Sequence, residues 1–155
     1  MTDMELLTLA EQARARAYAP YSGYSVGAAV LCRDGRVYPG CNIENAAYPA
    51  CLCAERAALA GAVSDGNREV VKIAVTGSGA GICTPCGLCR QVIFELSPDC
   101  LVICGRRHNP ANPSEPVRQN NQNQDGPAGL TPEIYPIREL LPSAFAGNML
   151  ENTGE

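Results

Sequence analysis

Two short cysteine motifs constrain this chain more than any other feature of its sequence. The first is CAE at residues 53–55, and the second is PCGLC at residues 85–89. Their thiolates, Cys53, Cys86 and Cys89, can hold a zinc ion on three sides and leave its fourth position to water. Zinc lowers the pKa of such a water to about 7, so a nucleophile is available at neutral pH. The spacing therefore predicts a hydrolytic zinc enzyme.

The motifs belong to three longer blocks: CNIENAAYP at residues 41–49, CAER at 53–56 and PCGLCRQV at 85–92. A cysteine or histidine followed by x-Glu, with Pro-Cys-x-x-Cys downstream, is the signature of zinc-dependent nucleobase deaminases. Together the blocks resemble cytidine deaminase, in its small homotetrameric branch with three zinc-binding cysteines. The resemblance runs from about Leu6 to Arg107 and resumes at ELLP, residues 139–142. It implies a hydrolase of pyrimidine salvage that converts cytidine, and deoxycytidine, to uridine products and ammonia, with a zinc ion in each subunit.

The alternation of apolar patterns along the chain predicts an α/β fold. Helical spacing extends over residues 3–17, 53–63 and 86–96, and strand-like runs extend over residues 26–32, 37–43, 70–76 and 101–105. Asp34-Gly35 predicts a hairpin turn between the first two strands. Strands that alternate with helices form an α/β sandwich. The resemblance implies that this sandwich has three layers, α/β/α, with a five-stranded mixed sheet.

At 155 residues the chain has the length of one domain, and we interpret residues 1–155 as a single cytidine deaminase-like domain. One segment interrupts the pattern. Residues 108–129 contain Asn-Pro twice, an Asn/Gln-rich run and only one large aliphatic residue, Val117. Such a segment cannot bury enough apolar surface to offset the entropy of ordering it, so we expect a mobile polar insert. His108, the only histidine, is expected to be a solvated residue at its start.

Composition limits the partners and the compartment. A net charge of -4 disfavours DNA or RNA as a partner and favours a small, weakly charged substrate. No apolar run approaches the roughly 20 residues of a membrane helix. Nine cysteines could indicate a disulfide framework, but the N-terminus is acidic and lacks the basic region of a secretory signal. Because three cysteines have a zinc role, a reduced cytoplasm is the better prediction.

Glu55 is the predicted catalytic residue, because it follows the first ligand by two positions and need not bind the metal itself. Deamination by water requires a group that takes a proton from the water, protonates the ring nitrogen N3 and later protonates the departing amine. One carboxylate can do all three, and an apolar pocket would raise its pKa toward the useful range. A first-turn glutamate favoured by the helix dipole would also stand here; the three cysteines favour the catalytic interpretation.

Both metal segments are expected to begin helices, whose N-terminal partial positive charge stabilises thiolates. Three thiolates around one divalent cation still leave excess negative charge, which would weaken the pull of the metal on its water. Arg56 could donate hydrogen bonds to ligand sulfurs and restore Lewis acidity, and the resemblance implies the same role. An ordinary surface arginine on a helix is the plainer alternative.

The substrate pocket is predicted from residues outside the cysteine motifs. Asn42 and Glu44 are two positions apart and face one side of a strand, where they could grip neighbouring sugar hydroxyls. The resemblance assigns them to the 3′ side of the ribose; solvent-facing polar residues on a strand are the plainer alternative. Tyr24 stands where the family usually has a pocket phenylalanine, and its hydroxyl needs a partner. The resemblance also places Ala54 at the substrate and Tyr48 at a subunit boundary beside the site.

The segment ELLPSAF at residues 139–145 resembles the C-terminal element of the family. There, the aromatic residue reaches into a neighbouring subunit's pocket and stacks on the pyrimidine, and base stacking is worth about 1–3 kcal/mol. The resemblance therefore implies a homotetramer with shared active sites, in which Phe145 contacts substrate. Packing of Phe145 on its own domain is the alternative.

Three other functions stay open on the sequence alone. A fourth thiol from Cys51 or Cys83 would close the zinc site into a structural one, although ligands at both Cys51 and Cys53 would form an unusual bite. The chain could deaminate another cytosine nucleoside such as blasticidin S, or a base in nucleic acid; the sugar-facing pair and the acidic charge favour a free nucleoside. It could also be a non-catalytic zinc-binding module that uses residues 108–129 as its contact. The intact Glu55 argues against that module.

Overall fold

The structure, a computed structural model, describes residues 1–108 and 129–147. The predicted insert at 108–129 lies outside the described residues except for its two ends. The helices are α1 (Asp3–Arg14), α2 (Ala54–Ser64), α3 (Gly87–Leu96) and α4 (Ile137–Leu140), with a single 3-10 turn at Tyr48–Ala50. The strands are β1 (Val26–Cys32), β2 (Val37–Cys41), β3 (Val70–Gly77), β4 (Gly81–Ile82), β5 (Leu101–Arg107) and β6 (Leu130–Pro136).

The helix starts follow from local chemistry. At α1, the Thr2 hydroxyl accepts a bond from the Glu5 amide while the Glu5 carboxylate accepts one from the Thr2 amide, which forms a capping box. This helix ends at Arg14 rather than at residue 17, because the Tyr18 amide leaves the helix and bonds to the Asn42 carbonyl. Among the described residues, no helix is both long and apolar enough to cross a membrane.

The sheet is mixed, as the sequence predicts, and its main path runs β2-β1-β3-β5-β6. β1 is antiparallel to β2 and β3, β3 is parallel to β5, and β5 is antiparallel to β6. The two-residue β4 adds a sixth strand beside the end of β5, on the edge that β3 leaves free there. The predicted five strands are therefore present, and a short sixth extends them.

Helices cover both faces of this sheet, which confirms the three-layer α/β/α arrangement. On one face, α1 packs on alternate strand residues through Leu6, Leu7, Ala10, Ala29, Ala74, Ile103 and Leu130. On the other face, α2 and α3 pack through Ala58, Leu59, Val30, Ile73, Val75, Ile93 and Val102. Successive residues of β1, β3 and β5 point to opposite layers because side chains alternate along a strand.

Glycines let the helices lie directly on the strands. A Cβ atom at Gly40 of β2 would lie 2.5 Å from the Ala54 carbonyl oxygen and 2.5 Å from the Ala58 amide nitrogen of α2. Gly27 of β1 is equally crowded by the backbone of α1. Backbone atoms cannot rotate away as a flexible side chain can, so no larger residue fits. Gly40 thus sets the separation between β2 and the first turn of α2, which carries Glu55.

Candidate active site and metal centre

Three cysteine sulfurs meet where α2 and α3 begin. Cys53 is the N-cap of α2, Cys86 is the N-cap of α3, and Cys89 lies in the first turn of α3. Their Sγ atoms all lie within 4.8 Å of one another, and the Cys53 and Cys86 sulfurs are 3.9 Å apart. Zinc with Zn–S bonds of about 2.3 Å in tetrahedral geometry requires sulfurs about 3.8 Å apart. The donor set and spacing therefore fit a zinc ion.

The group has no fourth protein ligand among the described residues. Cys51 and Cys83, the two thiols that could have closed it, are not part of the group. A site with three protein ligands keeps one position for water or substrate, which is the arrangement of catalytic rather than structural zinc.

The electrostatics of the sulfurs favour binding of a cation. A hydrogen bond from Cys89 lowers the pKa of Cys53 to about 5 despite burial, with further help from Arg56 and Cys86. The same bond and burial raise the pKa of Cys89. These opposite shifts describe one pair that shares a proton, with Cys53 ionising first. A bound cation would take the place of that proton, because the thiolate is the form that binds metal.

Arg56 lies against the ligand group on its helix side. Its Nη2 atom donates to the Cys51 carbonyl at 3.0 Å and to the Cys53 sulfur at 3.8 Å. Its Nε atom is buried and has no hydrogen-bond partner among the described residues. The structure thus brings Arg56 to a ligand sulfur, at the location that charge compensation requires.

Glu55 is buried beside the sulfurs of Cys53 and Cys89, with only 4% of its surface exposed. Burial raises the pKa of its carboxyl group, and the negative charge on Cys53 adds to the increase. Bonds from its own backbone and from Cys89 act in the opposite direction but are weaker. The increase moves the pKa of the carboxyl group toward the range in which one group can both accept and return a proton.

A cavity of about 440 Å³ opens in front of these groups. Its walls come from the β1, β2, α2 and β4 regions and are formed by Tyr24, Val26, Asn42, Ile43, Glu44, Cys51, Leu52, Cys53, Ala54, Glu55, Ile82, Cys83, Thr84 and Cys86. The cavity therefore collects Tyr24, Asn42, Glu44, Ala54 and Glu55, all predicted from sequence. No lysine or arginine is among these lining residues.

Asn42 and Glu44 are both held by hydrogen bonds at the cavity wall. The Asn42 side chain accepts a bond from the Val26 amide at 2.8 Å and donates one to the Tyr24 carbonyl at 2.9 Å. The Glu44 carboxylate accepts bonds from the Tyr21 amide at 2.8 Å and from the backbone and side chain of Ser22. Each side chain is thus oriented before any substrate binds.

Tyr24 lies against glycines and a cysteine. A Cβ atom at Gly77 would lie 2.2 Å from the Tyr24 hydroxyl oxygen, and one at Gly79 would lie 2.9 Å from its ring. Burial raises the pKa of Tyr24 to about 12, and its contact with Cys83 adds to the increase. The Tyr24 hydroxyl therefore has space because Gly77 carries no side chain, and it has a partner in the Cys83 thiol.

Tyr48 and Phe145 lie outside the cavity of their own chain. Tyr48 is 72% exposed and packs edge-on against Tyr21, with ring centroids 6.3 Å apart. Phe145 is 54% exposed, and its carbonyl accepts a bond from the Gln91 side chain at 2.9 Å. The ring of Phe145 is therefore available to another surface instead of being buried in its own domain.

Comparison with known proteins decides the family. Residues 1–105 match the family described as the cytidine and deoxycytidylate deaminase zinc-binding region. The cytidine deaminase of Sporosarcina psychrophila is 40% identical over 151 residues, which cover 97% of this chain and 96% of that protein. The chain belongs to the cytidine deaminase family.

Solved structures agree with that assignment. A crystal structure of cytidine deaminase from Burkholderia pseudomallei matches with a TM-score of 0.74 and 40% identity. The match covers 94% of this chain and 100% of the Burkholderia chain. Cytidine deaminase from Mycobacterium tuberculosis has a TM-score of 0.68 and 34% identity, over 94% and 98% of the two chains. The chain therefore has the fold and the zinc-binding domain of cytidine deaminases.

Sequence reasoning missed one wall of this cytidine deaminase pocket. Ile82, Cys83 and Thr84 reach the cavity through the short strand β4, which follows a glycine-rich turn at residues 77–81. The glycines were a visible signal of a tight turn, and Gly81 has a positive φ of 88°. Two residues are too few to produce a strand pattern, so the element itself could not be predicted.

Proposed function

We propose that this protein catalyses the hydrolytic deamination of cytidine, and of deoxycytidine, to uridine or deoxyuridine and ammonia. The observation that carries the proposal is the buried Glu55 carboxylate beside a three-sulfur group that faces an open cavity. A non-catalytic zinc module would need neither the cavity nor a buried acid next to the ligands. The matched family and relatives support the same activity.

The reaction exchanges the C4–N bond of cytosine for a C4–O bond from water. A zinc ion held by Cys53, Cys86 and Cys89 would supply the Lewis acid that makes a water molecule acidic enough to react at neutral pH. The Glu55 carboxylate accepts one proton of that water and passes it to ring nitrogen N3 as the C4–O bond forms. It then takes the second proton from the new C4 hydroxyl and gives it to the amine as the C4–N bond breaks. Its raised pKa suits this repeated exchange.

Arg56 contributes charge balance and support. Its guanidinium donates to the Cys53 sulfur and to the carbonyl of Cys51, so one side chain holds both the ligand and the backbone that precedes it. Hydrogen bonds to a thiolate reduce the negative charge that it gives to a metal. With zinc bound, Arg56 would thereby help the metal to stay electrophilic in a site with three anionic ligands.

The cavity favours a nucleoside over a phosphorylated substrate. Its described lining carries the carboxylates of Glu44 and Glu55 and no basic side chain to balance a phosphate. Asn42 and Glu44 supply an amide and a carboxylate to the sugar hydroxyls, and the Tyr24 ring lies beside them. These features support free cytidine or deoxycytidine rather than a nucleic-acid base, and they give no reason to prefer blasticidin S.

A direct test measures ammonia release by the purified protein loaded with one equivalent of zinc per chain. The substrates are cytidine, deoxycytidine, cytidine monophosphate, blasticidin S and a single-stranded oligonucleotide. We expect turnover of the two nucleosides and little of the others; turnover only of blasticidin S or of the oligonucleotide would overturn the proposal.

A matched pair of variants tests the ligand assignment. Cys86→Ala should lose zinc and activity together, because two thiolates hold zinc far more weakly than three. Cys41→Ala is the control, since this thiol donates to the Arg16 carbonyl at 3.5 Å and lies outside the ligand group. Stoichiometric zinc in the Cys86→Ala protein would refute the assignment.

The exposed aromatic residues support a homotetramer with shared active sites. Phe145 and Tyr48 present large apolar surfaces that a neighbouring subunit would cover. In such an assembly Phe145 stacks on the pyrimidine in the adjoining pocket. Truncation after Leu141 should raise KM sharply, and sedimentation should detect four chains in the intact protein. An active monomer, or unchanged kinetics after truncation, would contradict shared sites.

The proposed compartment follows from the thiols. All nine cysteines are free, and the three sulfurs of the metal group bind zinc only while reduced. A reducing cytoplasm meets this requirement and is where salvage of cytidine to uridine would take place.

A further inference from the structure

The loop that precedes β1 is tied to the sugar side of the cavity by a single carboxylate. Glu44 Oε2 accepts hydrogen bonds from the Tyr21 amide at 2.8 Å and the Ser22 amide at 3.2 Å. Glu44 Oε1 accepts a further bond from the Ser22 hydroxyl. These bonds lower the pKa of Glu44, with the Ser22 hydroxyl as the largest cause, so the carboxylate is ionised and fixed in direction.

The Ser22 hydroxyl has a second bond on its other side. Its oxygen accepts from the Tyr24 amide at 2.9 Å while its proton goes to Glu44. Tyr24 and Glu44 both line the cavity, yet they come from segments that are far apart in sequence. Ser22 is not among the lining residues, so it connects two walls of the pocket without touching what binds there.

The bonds leave room for one more partner on the carboxylate. An ionised carboxylate has about four acceptor positions, and the described bonds to Glu44 come from the Tyr21 amide, the Ser22 amide and the Ser22 hydroxyl. A hydroxyl of the substrate can take the remaining position. Because Ser22 holds Oε1, it determines the direction in which that position points.

We propose that Ser22 is a positioning residue for sugar recognition. Its hydroxyl orients the Glu44 carboxylate toward the 3′-hydroxyl of the nucleoside and also fixes the backbone of Tyr24 relative to Glu44. This inference rests on the proposed role of Glu44 in sugar binding. It assigns to Ser22 an effect on substrate affinity that depends on one hydroxyl of the substrate and leaves the deamination step itself unchanged.

The experiment compares Ser22→Ala with the parent enzyme on deoxycytidine and on 2′,3′-dideoxycytidine, which lacks the 3′-hydroxyl. Loss of the aiming bond should raise KM for deoxycytidine about 5- to 20-fold, as expected for one or two hydrogen bonds, with kcat within about twofold. The KM for dideoxycytidine should change less than about twofold. Ser22→Thr, which keeps a hydroxyl, should restore most of the affinity.

Ser25→Ala is the matched control. Ser25 lies in the same loop, but its hydroxyl accepts from Arg14 at 3.0 Å and makes no described bond to Glu44 or Tyr24. It should leave the ratio of the two KM values at the parent level. A Ser22→Ala protein with unchanged KM, or with equal increases for both substrates, would overturn the proposal.

The Glu44→Gln variant distinguishes the role of Ser22 from the proposed role of Glu44 in sugar binding. If Glu44→Gln raises KM for deoxycytidine and Ser22→Ala does not, only the role of Ser22 is wrong. If Glu44→Gln also leaves KM unchanged, Glu44 does not bind the sugar, and the proposal for Ser22 is wrong as well. If Ser22 acts through Glu44, the double variant should be scarcely worse than Glu44→Gln alone.

Discussion

Glu55 combines deep burial with a position beside three sulfurs that carry negative charge in a metal site. Such a location is costly for a carboxylate, and the raised pKa of the group reflects that cost. A residue retained there for stability would be better served by an amide. The location fits the proposed role in proton transfer, for which a raised pKa is an advantage.

Replacement of Glu55 by glutamine should therefore separate activity from stability. We expect Glu55→Gln to keep zinc and its melting temperature but to lose at least about 10²–10⁴-fold in kcat, since one group serves several proton transfers. Zinc analysis, thermal melting and steady-state rates measure these effects. The exposed Glu139→Gln is the control, and a Glu55→Gln rate within about threefold of the parent would remove Glu55 from the mechanism.

Arg56 offers a second single-residue test. Arg56→Ala removes the donor at the Cys53 sulfur and leaves the Cys51 carbonyl without its described partner. We expect lower kcat or weaker zinc binding, with KM changed less, because the side chain does not line the cavity. Arg56→Lys keeps the charge but not the fork of donors and should recover only part of the loss. Unchanged kcat and zinc content in Arg56→Ala would contradict charge compensation.

At this scale the sequence predicts residues whose roles follow from local chemistry. Cys53 and Cys86 were expected at helix starts, and both are N-caps. Asn42 and Glu44 were expected on one side of a strand. β2 ends at Cys41, before both of them, yet both side chains line the cavity. The bond from Ser22 to Glu44 and the contact of Tyr24 with Cys83 join segments distant in the chain. No local pattern encodes such pairs, because they depend on how the elements pack.

Among the elements, α3 connects the metal site to the C-terminal segment. Arg90 donates to the Pro85 carbonyl at 2.7 Å, to the Leu140 carbonyl at 2.9 Å and to the Thr84 hydroxyl at 3.3 Å. One side chain thus fixes the turn that ends in Cys86 and the end of α4. The ligand turn and the segment that carries Phe145 should therefore move together.

Loss of the Arg90 bonds should affect both the turn before Cys86 and the end of α4. We expect Arg90→Ala to lower the free energy of unfolding by about 1–3 kcal/mol, typical of bonds to a charged donor, and to release zinc faster. The control is Arg138→Ala, an exposed pair with Asp99 that should cost less than about 1 kcal/mol. Denaturant unfolding and zinc transfer to a chelator measure the two effects. Equal results for both variants would show that Arg90 is not a connector.

β6, like the short β4, is an element that the sequence pattern did not predict. Its two prolines, Pro132 and Pro136, remove backbone donors and interrupt a strand pattern. The strand tolerates them because its described partner is β5 alone, so it forms an edge of the sheet. Buried strands such as β1 and β3 were predictable from continuous apolar runs, whereas this edge strand carries a weaker signal.

For the molecule as a whole, an ion cluster joins α1 to the last residue of β5. Glu11 pairs with Arg14 at 2.6 Å and with Arg107 of β5 at 2.8 Å, and all three side chains are largely buried. Burial acts to raise the pKa of Glu11, but the bonds from Arg14 and Arg107 outweigh it and the net pKa is lowered. The ionised carboxylate therefore stabilises the folded state.

This cluster predicts a pH dependence of stability. A lowered folded pKa gives stability that is present above the unfolded pKa and lost as pH falls through the folded value. Glu11→Gln should cost about 1–2 kcal/mol near pH 7, and its deficit should shrink below about pH 4. Urea unfolding at both pH values provides the measurement. Glu69→Gln, from an exposed pair with Arg33, should show little deficit at either pH; a Glu11→Gln deficit independent of pH would contradict the prediction.

The absent side chain of Gly40 has a consequence for anyone who engineers this enzyme. Exchanging glycine for alanine is a common way to stabilise a protein, because it restricts the unfolded chain. At Gly40 the added methyl group would press on backbone atoms of α2, and the helix would have to retreat from the sheet. Glu55 would retreat with it, away from the ring nitrogen that it protonates in the proposed mechanism. A substitution on β2 that is chosen for heat resistance would thus slow the proposed proton transfer.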